Sequence, residues 1–227
     1  MTLQKIIIFD ASTLISLSMN GLFEEFKKLK SIFNGKFIIT EYVKREIIDT
    51  PINIKKFELE ALKIKQLLDK GVIELPKSIG IKDNEISKKT NEIMDIVNSS
   101  FQGNGKEIRL IDLGEASCLA LGKILNEKNI VNVIAIDERT TRMLSERPEN
   151  LKKLLEKKLH TKVSYKKERV KFFSDFKIIR SAELVYIAYK KGLVNLSDGN
   201  VLDALLYAVK FKGCSISDDE IREIKKL

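Results

Sequence analysis

Two patterns of apolar residues alternate along the chain, and they predict strands and helices in turn. Short apolar runs, typical of strands buried on both faces, occur at residues 5–9, 36–39, 72–75 and 132–136. Apolar residues repeat at helical spacing from about residue 12 and at 22–29, 41–48, 54–69, 84–98, 112–126, 138–146, 182–191, 200–210 and 218–226. Thr40 is the expected N-cap of the 41–48 helix, and Pro51 is expected to end it.

This alternation predicts an α/β layer sandwich with a parallel sheet, in which ligands gather at the carboxyl ends of the strands. The whole chain, residues 1–227, is expected to form one domain. Two segments depart from the alternation. The first is a polar insertion at about 76–108, with one predicted helix between loops. The second is a basic segment at about 151–180, with a predicted helix and a hairpin around 163–173.

The composition predicts a folded protein of a reducing compartment. The chain has 227 residues, of which 44% are apolar, enough for a packed core. Cys118 and Cys214 are too few for a disulfide framework or a cysteine zinc site, and both are expected in the core. No run of about 18 apolar residues predicts a membrane span, and residues 3–9 look like a strand rather than part of a signal peptide. We therefore expect a cytoplasmic protein without a membrane partner.

Positive charge is concentrated in the basic segment. Residues 151–180 hold eleven Lys or Arg against three acids, which is most of the formal net charge of +9. A clustered positive field attracts polyanions, so nucleic acid is one expected partner, and a solvated helix face is the alternative. The aromatic residues of the segment would either stack on bases or face the core from strands; they are Tyr165, Phe172, Phe173 and Phe176.

Several common chemistries are excluded by missing motifs. The glycines form neither G-x-G-x-x-G nor a P-loop, which argues against a nucleotide-binding Rossmann motif. His160 is the only histidine and lies among lysines, so we expect it on the surface rather than in a catalytic triad or a zinc site.

Carboxylates remain as the candidate chemistry. Asp10 and Asp137 follow predicted strands, Glu46 lies on the helix after the second strand, and Glu115 opens a helix with Asp112 one turn earlier. All could meet at one edge of the sheet, where ionised carboxylates need a cation, and Mg²⁺ or Mn²⁺ suits an all-oxygen site. Two such ions could support phosphodiester hydrolysis.

Each acid also has a structural explanation. Asp10 and Asp137 could be N-caps, Asp112 and Glu115 could form a capping box, and Glu46 could be an ordinary charge at a helix margin.

Taken together, these segments resemble the PIN-domain family of metal-dependent ribonucleases. That family has an Asp at the end of the first strand with a hydroxyl residue close behind, matched by Asp10 and Ser12. It has a V-x-x-E helix after the second strand, matched by residues 43–46, and in one branch a third acid in a G-E-A string, matched by Glu115 in GEASCLAL.

The resemblance continues towards the C-terminus. An Asp that ends a later strand and is followed by Arg is matched by Asp137, Arg139 and Arg142. The strings AELVYIAYKKGLV and VLDALLYAVKFKGCSIS also resemble the end of that branch. The proline that often precedes V-x-x-E is absent, and the chain is longer than compact PIN toxins of the VapC type.

The resemblance implies a three-layer α/β/α sandwich with a central, mostly parallel sheet and a divalent-metal-dependent endoribonuclease. Its implied catalytic and metal-binding residues are Asp10, Glu46, Glu115 and Asp137, with Asp112 as an outer ligand. Ser12 would orient a carboxylate or water, and Arg139 and Arg142 would hold the RNA strand, unless Arg142 pairs with a nearby acid. A toxin role with a protein antitoxin, and a homodimer, are further implications.

Two other functions stay open from the sequence. One is a catalytically inactive PIN-like module that binds RNA or serves as a scaffold, suggested by the concentrated charge. The other is a phosphatase of the haloacid-dehalogenase type, suggested by FDAST, although that family has a second acid where this chain has Ser12.

Overall fold

Seven strands and twelve α-helices make up the computed structural model, which describes residues 5–227. The strands are β1 (Lys5–Phe9), β2 (Gly35–Ile38), β3 (Phe101–Gly103), β4 (Lys106–Glu107), β5 (Asn132–Ala135), β6 (Val163–Tyr165) and β7 (Ile178–Ile179). The helices are α1 (Ala11–Met19), α2 (Phe23–Ile32), α3 (Glu41–Lys44), α4 (Glu58–Asp69), α5 (Asp83–Asn98), α6 (Leu113–Glu127), α7 (Arg139–Glu146), α8 (Pro148–Leu159), α9 (Lys167–Lys171), α10 (Ser181–Lys190), α11 (Val201–Phe211) and α12 (Asp218–Lys226).

A parallel four-stranded sheet lies at the centre, with the strands in the order β2-β1-β5-β7. The inner strand β1 pairs with β2 through Ile7 and Phe37, and with β5 through Ile7 and Val133. Every β1 residue after Lys5 is buried, as its continuous apolar run predicts for a strand covered on both faces. Residues 3 and 4 of the predicted first strand lie outside the described residues.

Helices pack against this sheet and complete the core. The rings of Phe9 on β1, Phe26 on α2 and Phe37 on β2 lie with centroids 5.0–5.1 Å apart. Helix α6 crosses β5 at Gly122, where a Cβ would come within 3.0 Å of the Ile134 side chain, so a glycine permits the close approach. The described chain is therefore a mixed α/β fold with a parallel sheet flanked by helices.

The insertion and the basic segment meet in a second, antiparallel sheet. Its order is β4-β3-β6, with β3 and β4 from the insertion and β6 from the basic segment. Phe101 and Tyr165 stack across this sheet with ring centroids 5.2 Å apart. The predicted hairpin at 163–173 is wrong, because β6 pairs with β3 and is followed by helix α9.

Three other local predictions need correction. The strand predicted at 72–75 is a single parallel bridge between Glu74 and Ile38. The helix predicted at 41–48 changes at Arg45 into a π-helical turn, Arg45–Asp49. The helix predicted at 54–69 begins only at Glu58, because a 3₁₀ turn over Pro51–Asn53 and a further turn precede it.

The aromatic residues of the basic segment do not lie in strands, apart from Tyr165. Phe173 and Phe176 are buried, and Phe172 is half-buried beneath the Lys123 ammonium group, which lies 5.1 Å from the ring centre. The second sequence interpretation is therefore right that these rings pack against the protein and wrong that they do so from strands, Tyr165 excepted.

Among residues 5–227, no helix is both long enough and apolar enough to cross a bilayer.

Candidate active site

The carboxyl ends of the parallel strands bring the predicted acids to one edge of the sheet. Asp10 directly follows β1, and its backbone N–H donates to the carbonyl of Ala135 at the end of β5, 3.0 Å away. Asp137 lies two residues beyond that carbonyl. The two aspartates are therefore anchored on adjacent strands, as the alternating pattern predicts.

Asp10 is the buried N-cap of helix α1. One carboxylate oxygen accepts from the Ser12 backbone N–H at 3.0 Å and from the Ser12 hydroxyl at 2.5 Å. Burial raises the pKa of Asp10 to about 6, the bonds from Ser12 lower it, and repulsion by Asp112 raises it again. The capping interpretation of Asp10 is thus confirmed, and both hydrogen bonds from Ser12 go to the same carboxylate oxygen.

Ser12 also connects the two strand ends. Its hydroxyl donates to Asp10 and accepts from the backbone N–H of Asp137 at 3.1 Å. The hydroxyl hydrogen therefore has one available direction, towards the Asp10 carboxylate. The predicted orienting contact between Ser12 and a carboxylate is present.

The first turn of α6 supplies two further carboxylates in a capping box. The Asp112 side chain accepts from the Glu115 backbone N–H at 2.9 Å, and the Glu115 side chain accepts from the Asp112 N–H at 3.0 Å. Glu115 is buried, and its other oxygen accepts from the Thr141 hydroxyl at 2.6 Å. Burial, with repulsion by Asp10 and Asp112, raises the pKa of Glu115 to about 8 despite that bond from Thr141.

Glu46 reaches the same place from the π-helical turn. Its Oε2 atom and Asp112 Oδ1 lie 2.6 and 3.3 Å from the point that a Cβ on Gly114 would occupy, so they are less than about 6 Å apart. Glu46 is exposed as a residue, but its carboxylate end rests against Gly114. Burial of that end, then repulsion by Asp112 and Asp10, raises its pKa to about 7.

Asp137 is buried at this edge but faces another element. Its two oxygens accept from the Ser181 backbone N–H and hydroxyl, each at 2.7 Å, at the start of α10. Burial raises its pKa, and the bonds from Ser181 and Cys214 lower it. The alternative that Asp137 caps α7 is wrong, because Glu138 accepts from the N–H of Thr141 and is the N-cap.

The two arginines predicted to hold the RNA strand have different surroundings. Arg142 donates to Glu220 at 3.1 Å and to the Ser215 carbonyl at 3.2 Å, so the ion-pair alternative raised from the sequence is the one observed. Arg139 is exposed beside a cavity of about 310 Å³ that Arg142 also lines. Arg142 is therefore engaged with the protein, and Arg139 is accessible.

Several contributors to the site were not predicted. Thr141 and Ser181 hold Glu115 and Asp137, and Arg180, which is buried, binds Glu183 and Glu220 beside Arg142. No local motif marks these residues. Ser181 and Thr141 lie 44 and 26 positions from the acids they hold, so only the fold brings them together.

The donor chemistry fits a hard divalent cation, because Asp10, Glu46, Asp112 and Glu115 offer only oxygen atoms as ligands. Each of these four acids either raises the pKa of another member of the group or has its own pKa raised by one. Even so, no three His, Cys, Asp or Glu side chains in the described part of the chain are arranged as ligands of one ion. The four carboxylates are thus an electrostatically coupled cluster rather than a closed coordination shell. Asp137, turned to Ser181, stands beside this cluster.

Comparison with known proteins finds no matching family model, no matching curated protein and no matching solved structure.

Proposed function

We propose that this chain is a PIN-like, divalent-metal-dependent endoribonuclease that hydrolyses phosphodiester bonds of RNA. The observation that carries the proposal is the carboxylate cluster at the carboxyl edge of the parallel sheet, made up of Asp10, Glu46, Asp112 and Glu115. Burial, and then repulsion within the cluster, raises the pKa of three of these carboxyls. Such crowding of acids is typical of sites that work with a cation. The family resemblance and a three-layer sandwich belong to the same proposal.

Mg²⁺ or Mn²⁺ is the cofactor in this proposal. Asp10, Glu46 and Glu115 would hold the ion, with Asp112 and Asp137 at its margin. Glu46 is the member best able to turn towards the others, since it is exposed and accepts no hydrogen bond within the described chain. When bound, such an ion polarises a phosphodiester and lowers the pKa of water.

The contacts around the cluster suit orientation of its acids. Ser12 holds Asp10 from one side, Thr141 holds Glu115, and the absence of a side chain at Gly114 lets Glu46 approach α6. Hydrogen bonds of this kind fix the direction of a carboxylate and tune its basicity. In the proposed enzyme, these three residues keep the carboxylates aimed at a common point.

The proposal predicts that Asp10→Asn lowers Mn²⁺-dependent RNA cleavage by on the order of a hundredfold or more, because the amide removes a charge from the cluster. Structured and unstructured RNAs incubated with Mn²⁺ and followed by gel electrophoresis measure the rate. Asp10→Asn combined with Asp137→Asn is expected to be at least as inactive.

Asp175→Asn is the matched control, since Asp175 is exposed and distant in sequence from every acid of the cluster. It is expected to cleave like the unaltered protein. Cleavage that survives unchanged in the double variant would contradict the nuclease proposal and indicate a contaminating enzyme.

A non-catalytic RNA-binding module is the second candidate function, and the basic segment favours it. Eight lysines of this segment are exposed, and no carboxylate of residues 5–227 lies within 4 Å of any of them; they are Lys153, Lys157, Lys158, Lys162, Lys166, Lys167, Lys171 and Lys177. Salt-sensitive RNA binding without divalent-dependent turnover would favour this candidate.

The toxin role, a protein antitoxin and a homodimer stay predictions from the resemblance. Co-purification with a neighbouring-gene product, and the mass of the protein in solution, are the measurements that bear on them.

A further inference from the structure

A second opening adjoins the carboxylate cluster and contains both signs of charge. It is a cleft of about 320 Å³ between the π-helical turn and the first turn of α6. Glu46, Asp112, Arg45 and Arg109 are among the residues that line it. Arg45 directly precedes Glu46 in the chain, whereas Arg109 lies two residues after the end of strand β4.

These two arginines lack the internal partners that the other arginines near the sheet edge have. Both are exposed, and no carboxylate of residues 5–227 lies within 4.0 Å of either guanidinium. By contrast, Arg142 and Arg180 both bind Glu220. The two guanidinium groups share the cleft with the Glu46 and Asp112 carboxylates but form an ion pair with neither, so they are available for an external anion.

We infer that Arg45 and Arg109 form a binding site for a backbone phosphate of the RNA strand, next to the carboxylate cluster. A guanidinium group offers a planar fork of donors that matches two phosphate oxygens, and charge-assisted bonds of this kind are among the strongest in proteins. The inference rests on the proposed function, since the ligand is the proposed substrate.

The site also answers an electrostatic difficulty of the cluster. Acids at the sheet edge repel a polyanion, and the two arginines place positive charge in the same cleft. Contacts to phosphates position a nucleic-acid strand without reading its bases. The site would therefore fix the position of the RNA strand relative to the carboxylates and would give no sequence preference. Arg109 is the residue directly after the insertion, so the inference gives a role in substrate binding to the point where the insertion returns to the parallel-sheet fold.

The test is binding of a fluorescent tetraribonucleotide in the presence of EDTA, which stops metal-dependent cleavage. A short strand also limits contacts with the basic segment. The Arg45→Gln, Arg109→Gln double variant is expected to bind at least about tenfold more weakly, because charge-assisted bonds to phosphate are lost. A variant with lysine at both positions keeps the charge, loses the fork and is expected to bind with intermediate affinity.

The matched control is Arg147→Gln with Arg222→Gln, which removes the same charge from exposed positions elsewhere. Equal affinities of the test and control pairs would overturn the phosphate site. Failure of the proposed function is separate: an unaltered protein that binds the tetranucleotide through Arg45 and Arg109 but cleaves no RNA with Mn²⁺ contradicts the nuclease alone. Melting temperatures within a few degrees of the unaltered protein show that the variants are folded.

Discussion

Glu115 combines a structural contact and a titratable charge in one buried carboxylate. One oxygen completes the capping box of α6, and the other accepts the Thr141 hydroxyl. These bonds favour the ionised form, yet burial and the neighbouring acids outweigh them, so the pKa rises to about 8. The same balance at Asp10 leaves its pKa at about 6. With a pKa of about 8, the Glu115 carboxyl holds a proton at neutral pH when no cation is bound, and a bound cation would favour its ionised form.

These shifts predict that the protein becomes more stable as the pH falls from about 8 to 5.5. The native pKa values of about 6 and about 8 exceed the unfolded values near 4. In this window the native state binds more protons than the unfolded state, so stability falls as the pH rises. Melting temperature measured against pH in EDTA tests the sign.

Glu115→Gln is the diagnostic variant for this dependence. Glutamine does not titrate, so the part of the slope above about pH 6 should shrink, whereas Glu25→Gln, at a half-buried position on α2, should leave it unchanged. An identical slope in the Glu115 variant and the unaltered protein would contradict the assignment.

At the scale of elements, the site depends on how closely α6 and the π-helical turn approach. The α-helical pattern of residues 41–48 gives way to the π turn at Arg45, and this turn carries Glu46. Such turns are rare and often occur at functional sites. On the opposite side, Gly114 leaves room for the Glu46 carboxylate in the first turn of α6. A local irregularity in one element and a missing side chain in the other bring Glu46 to Asp112.

Gly114→Ala is expected to displace Glu46 without unfolding the protein. The new Cβ would lie 2.6 Å from Glu46 Oε2, and this flexible carboxylate can move away, so stability should change by less than about 1 kcal/mol. The Mn²⁺-dependent cleavage rate should fall roughly ten- to hundredfold, because a metal-binding group loses its position. Thermal melting and the RNA cleavage assay measure the two effects.

Gly199→Ala serves as the control, because a Cβ at Gly199 would meet no atom within 4 Å. It is expected to leave the cleavage rate unchanged. A large loss of stability in the Gly114 variant, with normal cleavage by the folded fraction, would show that Gly114 serves packing and not the position of Glu46.

At the scale of the whole molecule, acidic and basic regions are built from different parts of the chain. The carboxylates cluster at the edge of the parallel sheet, whereas the unpaired lysines lie on and beyond α8, whose segment joins the small sheet through β6. With Phe173 and Phe176 buried, this region offers charge and little aromatic surface. It is suited to phosphate contacts without base stacking.

Replacement of Lys153, Lys157 and Lys158 by Gln should therefore weaken RNA binding in a salt-dependent way. If each lysine neutralises one phosphate of a single strand, the slope of log K against log salt becomes shallower by about 2. Fluorescence titrations at several salt concentrations in EDTA measure it. Lys88, Lys191 and Lys212, also exposed, provide the control triple with the same change in charge. Equal slopes in the two triples would assign RNA binding to another surface.

Features that depend on neighbours in the chain could be predicted from the sequence. The strand at Lys5–Phe9, the cap at Thr40, the capping box of Asp112 and Glu115, and the last helix, Asp218–Lys226, all follow from apolar spacing and cap residues within a few positions. The position of Asp10 at the sheet edge follows in the same way, because parallel strands share a carboxyl edge.

Features that depend on distant partners were decided only by the tertiary structure. Strand β7 has only two residues, too few to form a recognisable apolar pattern. The local pattern around β6 predicts a hairpin, although its actual partner, β3, lies about 60 residues earlier in the chain. The partners of the acids, such as Thr141 and Ser181, likewise arise across the fold, as does the cleft that Arg45 and Arg109 both line. Local pattern specifies elements through short-range sterics and hydrogen bonds, whereas burial, pKa and pairing depend on which surfaces the packed elements bring together.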